Sequence, residues 1–185
     1  MTVSWGPADV ALGSVRGPAY VRAVASEGTR FERVAKLLLG RDQVADDVEG
    51  DVRSAAVLWL AEAEADLDAI GPAIAAGRYR VAYNAAYDTF RHAAEAVIHA
   101  SGYRVLSGRG AHEATFALAA AILEDEPTDV FEAANASVIR NTRNGLEYLD
   151  PTRPVAVTEA DARWAEDLAR RAVAACSTYV ERTSG

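Results

Sequence analysis

The chain has 185 residues, half of them apolar and a quarter charged, which fits one globular domain with a sizeable core and excludes a disordered chain. Its formal net charge of −8 argues against a broadly basic nucleic-acid-binding surface, and no run reaches the ~20 apolar residues of a membrane helix. The charge is uneven: Arg41 to Ile70 holds two arginines against nine carboxylates, whereas Arg78 to Gly110 holds five arginines against two, which leaves room for a local basic site.

The first residues, Met1 to Gly28, lack a basic stretch followed by an apolar one, so a cytoplasmic setting is expected and a secretory signal is not. They read as an irregular arm with a short helix near Tyr20 to Ala25. Thr29 and Glu32 have capping-box spacing ahead of Phe31, Val34, Leu37 and Leu38, and Gly40 stops that helix. The acidic connection from Asp42 to Asp51 reads as an exposed linker. Residues 1–50 are thus expected to form an N-terminal arm, and 51–185 a helical bundle.

A helix is expected from Arg53 to Ile70, kinked or ended by Gly71-Pro72, with a turn at Gly77. From Arg78 to Ala100, Tyr79, Tyr83, Ala86, Phe90, Ala93 and Val97 recur at alternating spacings of four and three, the pattern of a helix packed lengthwise against others. Tyr87 widens that stripe, and Asn84, Asp88, Arg91 and Glu95 line a second face. The Gly/Ser/Arg loop from Ser101 to Gly110 lacks the Gly-Lys-Ser/Thr ending of a phosphate loop and follows a helix instead of a strand. A helix from Ala111 to Leu123 follows, then one from about Thr128 to Asp150. The last helix, capped by Thr158 and Asp161, carries Ala165, Leu168, Ala172, Cys176 and Tyr179 along its apolar line. The single cysteine, Cys176, rules out an intramolecular disulfide and reads as a small core residue. No convincing strand is present, Val155-Ala156-Val157 being the nearest. The expected fold is all-α, an antiparallel bundle of four to five long helices with an N-terminal extension and no sheet. Tyr83, Phe90, Val97, Phe131, Val138 and Leu168 are expected inside.

The three histidines, His92, His99 and His112, form no HExxH pair, and the di-metal Glu-x-x-His motif is missing, so neither a metal nor another cofactor is expected. His92 and His99 share one helix face; His112 reads as a capping or packing residue. The stretch that concentrates chemistry is Ser137 to Pro151. At ~100° per residue, Arg140, Arg143, Asn144, Glu147 and Tyr148 fall within roughly 140° of arc, opposite Phe131, Val138, Thr142, Leu146 and Leu149. One reading is a solvated helix face, with Arg143 pairing Glu147. The other is a phosphate site. Guanidiniums grip phosphate through paired, charge-assisted hydrogen bonds, Asn144 would orient it, and Tyr148 would hydrogen-bond or stack on a base.

The run Gly77-Arg78-Tyr79-Arg80-Val81-Ala82-Tyr83-Asn84-Ala85-Ala86-Tyr87 resembles the HEPN family, the higher eukaryotes and prokaryotes nucleotide-binding domain. So do Ala93-Ala94-Glu95-Ala96, Ser101-Gly102-Tyr103-Arg104, Gly110-Ala111-His112 and Arg140-Asn141-Thr142-Arg143-Asn144, in that order on successive helices. The resemblance implies a helical bundle, a homodimer, and metal-independent ribonuclease activity of the toxin–antitoxin or defence type. The helix face and the resemblance together single out Arg140, Arg143, Asn144 and Tyr148 as candidate catalytic positions and Arg140, Asn141 and Arg143 as candidate nucleic-acid contacts. The resemblance itself covers the arginines, with Asn141 and Asn144 matching the polar residue that follows them. It departs from the family at one place: no histidine follows either arginine at four to six residues. Two classes of function stand side by side. One is an RNA-directed protein, catalytic or RNA-binding; the other is a non-catalytic helical interaction module that meets a nucleotidyltransferase-like partner or an antitoxin.

Overall fold

The helix Tyr79–Ala100 is the axis of the molecule, because its tyrosine, phenylalanine, alanine and valine stripe is wide enough to be covered from several sides. In the computed structural model, which describes residues 28–46, 51–126, 128–147 and 156–184, it is the third of six helices. These are α1 (Arg30–Leu39), α2 (Val52–Ala75), α3 (Tyr79–Ala100), α4 (Ala111–Ile122), α5 (Ala133–Glu147) and α6 (Glu159–Ser184). Two short strands, β1 (Val44–Asp46) and β2 (Tyr103–Val105), complete the described elements. The short helix expected near Tyr20 lies outside the described residues. An all-helical bundle is what forms, and among the described residues no helix is long and apolar enough to cross a membrane.

Tyr83, Ala86, Tyr87, Phe90, Ala93 and Val97 are buried along α3. The tight turn at Gly77, with φ +68°, sends α3 back antiparallel along α2. A methyl at Gly77 would meet open space. Gly77→Ala is therefore expected to lose about 1 kcal/mol through backbone strain alone. Chemical denaturation checks this, and an unchanged midpoint would show that the turn re-forms in another conformation. α2 is not ended at Gly71-Pro72 but continues to Ala75. A proline deprives the helix of one N–H, and so near the C-terminus only one turn is weakened. α6 packs against both α3 and α2 and runs in the same direction as α3. The Tyr79 hydroxyl reaches Glu159 at the start of both helices (3.2 Å), and Ser101 reaches Tyr179 near their ends (3.0 Å). Cys176 is fully buried in α6, and burial pushes its thiol pKa up.

Helix starts follow the caps legible in the sequence. Thr29 and Glu32 form the reciprocal capping box of α1, and Thr158 and Asp161 exchange the equivalent bonds at α6. Phe90 meets Phe116 of α4 at 4.9 Å between ring centroids and Phe131, ahead of α5, at 4.6 Å, joining three segments in one aromatic contact. Phe131, Val97 and Leu168 are buried as expected, but Val138 is 51% exposed. Adjacent helix positions point about 100° apart, and the narrow covered stripe of α5 takes in Ile139 and leaves Val138 out. Ile139 goes in with Ala136 and Leu146, which turns α5 from the predicted phase.

The expectation of no sheet is also corrected. β1 and β2 pair antiparallel, Val44 with Val105, Ala45 with Arg104 and Asp46 with Tyr103. Val44 is buried, so the first part of the expected linker is instead packed structure. With Ala35 and Leu38 of α1 it joins a second, smaller core against Ile98, Ala114 and Leu118.

Candidate functional site

The turned phase of α5 changes where its arginines go. Arg143 lies on the inward stripe between Ile139 and Leu146, and its guanidinium carbon sits 5.1 Å from the ring centroid of Tyr87 on α3. Arg140 is half-buried one turn earlier and forms an ion pair with Glu113 in the first turn of α4. The two guanidiniums therefore do not stand on an outer face opposite the core, as the sequence suggested, but roof the edge where α3, α4 and α5 converge. Asn141 and Asn144 are exposed. Tyr148 lies outside the described residues.

What the helix lacks in sequence is supplied from α4. The Tyr87 hydroxyl, at the end of a buried ring, lies 3.0 Å from Nδ1 of His112. Thus one tyrosine carries Arg143 on its face and His112 on its hydroxyl. His112 has its pKa lowered, first by desolvation and then by the guanidiniums of Arg91, Arg143 and Arg140, with Asp88 acting the other way. Its neutral imidazole is therefore favoured. Burial raises the Tyr87 phenol above its ordinary range, against the pull of Arg143 and Arg91, so it stays protonated; its oxygen can accept from Nδ1–H of His112, the tautomer that leaves the Nε2 lone pair free.

Arg91, the third cation, is fixed from α2. It donates to Nε2 of His92, while His92 Nδ1 lies 2.9 Å from Asp66. A guanidinium can only donate, so Nε2 accepts and Nδ1 carries the proton to Asp66. Trp59 lies against both His92 and His99, with ring centroids 5.1 Å and 6.3 Å away, and Arg91 passes 5.9 Å from the same indole. The shared face of His92 and His99 is thus an aromatic contact. Among the described residues no group of three or more His, Cys, Asp or Glu is placed to hold a metal ion.

Beside His112 opens a cavity of about 210 Å³ between α3, α4 and the segment after β2, with Arg91, Glu95, Val105 and Leu106 in its lining. Glu95 is largely withdrawn from solvent, which raises its carboxyl pKa; the Thr115 hydroxyl and the Arg91 charge oppose the shift. A second cleft, of about 320 Å³, lies on the other side of the α4 first turn, where Arg30 and Arg140 flank Phe116 and Phe131.

No family model, curated protein or solved structure matches this chain.

The residues that sequence reading missed are His112, Tyr87, Arg91 and Glu95. The signal for His112 was weak but present: a histidine at the start of a helix, just after a glycine-rich loop, with no apolar stripe to join. Nothing in a linear reading connects it to Arg143. That link is made by Tyr87, which the spacing places in the core.

Proposed function

We propose that this chain is an RNA-directed protein of the toxin or defence type. It holds single-stranded RNA by its phosphates at Arg91, Arg140 and Arg143 and uses His112 for proton transfer. The observation that carries the reading is the single tyrosine that joins Arg143 to a neutral histidine. Guanidiniums present planar donor forks to phosphate oxygens and stabilise the extra charge of a pentacovalent phosphorus. A neutral imidazole is the form that accepts a proton near neutral pH. In the reaction, the ribose 2′-hydroxyl gives its proton to Nε2 of His112 and its oxygen attacks the adjacent phosphorus. The 5′-oxygen departs with its electron pair and takes a proton from water, leaving a 2′,3′-cyclic phosphate. The imidazolium then returns its proton to solvent. The Tyr87 oxygen orients the ring by accepting from Nδ1–H, which keeps the Nε2 lone pair free for the incoming proton. The resemblance to HEPN proteins supports the same reading, with the acid–base histidine brought from a neighbouring helix.

Arg143→Ala tests this directly. It is expected to weaken binding of a single-stranded RNA by about tenfold to a hundredfold, as loss of hydrogen bonds to a charged group does. The slope of log affinity against log salt should fall by about 0.7, one phosphate contact fewer on a single strand. The fold should survive with a loss of about 1 kcal/mol, since the guanidinium also covers the Tyr87 face. Arg143→Lys should recover only part of the binding. Unchanged affinity and unchanged salt slope in Arg143→Ala would remove the phosphate reading.

A second reading, a helical interaction module, has one observation in its favour: Val57 and Leu58 stand adjacent and exposed on α2. They suit a homodimer or a nucleotidyltransferase-like or antitoxin partner. Light scattering that reports only monomer at tens of micromolar, together with cleavage by the isolated chain, would set it aside.

A further inference from the structure

The cavity beside His112 has a chemistry of its own that phosphate binding does not use. Its walls are unlike: Val105 and Leu106 are apolar, and Glu95 is a carboxylate set deep on α3. The Thr115 hydroxyl lies 3.2 Å from Oε1 of Glu95 and 3.0 Å from the Ala111 carbonyl, so one proton is divided between two acceptors. No other described residue donates a hydrogen bond to Glu95. The rest of its accepting capacity opens on the cavity and is available to a ligand. Unstacked RNA bases are read on their Watson–Crick edges in such clefts. Of the four, only guanine offers two adjacent N–H donors there, N1–H and the N2 amino group, which match the two oxygens of one carboxylate. Adenine and cytosine offer one amino group, and uracil a single N–H.

We infer that the cavity is a nucleobase subsite for guanine, with Glu95 taking the N1–H and N2–H of the base between apolar walls while the adjoining phosphate lies on the arginine cluster. This rests on the phosphate reading above and adds the base that the site selects. Arg91 then serves both subsites, because it lines the cavity and contributes to the cluster around His112.

The test uses labelled pentauridylates with guanosine, adenosine, cytidine or uridine at the central position, titrated with the full chain and read by fluorescence anisotropy. The guanosine oligonucleotide should bind roughly tenfold more tightly than the other three, the discrimination of one good bidentate pair. Glu95→Gln should bring all four to the same affinity, because the amide keeps one acceptor and turns the other into a donor. Leu106→Trp, which fills the cavity from its loop side and leaves the buried carboxylate intact, should do the same and guards against misfolding of the first variant. If the four bind alike in the wild type, or Glu95→Gln keeps the preference, the guanine subsite is wrong and phosphate binding stands. If none binds, both readings fall.

Discussion

Replacing His112 by alanine should slow cleavage of a single-stranded RNA by about 10²- to 10⁴-fold, the usual contribution of a positioned acid–base group. Binding should be nearly unchanged, since the three arginines stay. The sign of the pH dependence follows from the direction of the shift. Desolvation and the neighbouring guanidiniums lower the His112 pKa below 6.5, so the base form dominates at neutral pH. Cleavage should be flat above that range and fall as pH drops through the folded value. Folding stability moves the same way: the depressed histidine contributes nothing unfavourable above the unfolded pKa, and its protonation costs the folded state as pH falls through the folded one. Bound phosphate would raise the pKa again by adding negative charge beside the ring, so RNA binding just below neutrality should take up protons. Equal cleavage rates in His112→Ala and wild type would move the acid–base role elsewhere.

Phe90→Ala should be the most damaging change to the fold, at about 3–5 kcal/mol. Its ring is fully buried and touches both Phe116 and Phe131. The alanine leaves a void at the one place where α3, α4 and the approach to α5 meet, and the flanking rings belong to different elements that cannot all collapse inward. Against a typical total of 5–15 kcal/mol, that loss leaves a fold near its limit. Urea unfolding followed by circular dichroism measures it, with Phe90→Leu as the milder companion. A loss under about 1 kcal/mol would mean that the aromatic contact does not hold α5 in place, and the geometry around Arg143 would need another support.

The helices were legible because their signals are local. The reciprocal bonds of Thr29 with Glu32 and of Thr158 with Asp161 lie within one turn, and the α3 stripe repeats over five turns. The strand pair was not legible, since three residues are too few for a period and their partners lie far apart in the chain. The phase of α5 was misread for a different reason. Val138 and Ile139 compete for one inward position, and the choice between them is made by the packing of α3 and α4, not by α5 itself. The same competition decided the site. Arg140 and Arg143 were legible as a pair, but their surroundings were not, because a periodicity count treats an arginine on the inner stripe as an error instead of as a roof over a tyrosine. Glu95 was hidden in the same way, a charge placed with Asn84, Asp88 and Arg91 on a second face of α3, which no linear reading sets beside the segment after β2.

The ladder of β1 with β2 has a bearing on the order in which the molecule assembles. It joins residues 44–46 to residues 103–105 and so closes a loop of roughly sixty residues around the α2–α3 hairpin, at an entropic cost on the order of 4 kcal/mol. Three residue pairs offset little of that, so closure waits for Ala35, Leu38 and Val44 to settle on α4. The hairpin, whose contacts are close in sequence, has no such delay. Val105 and its neighbour Leu106, the apolar wall of the cavity beside His112, are thereby fixed late on the way in and released early on the way out. On gentle warming the chain would lose the shape of that cavity, and with it the proposed choice of base, while its helices were still intact.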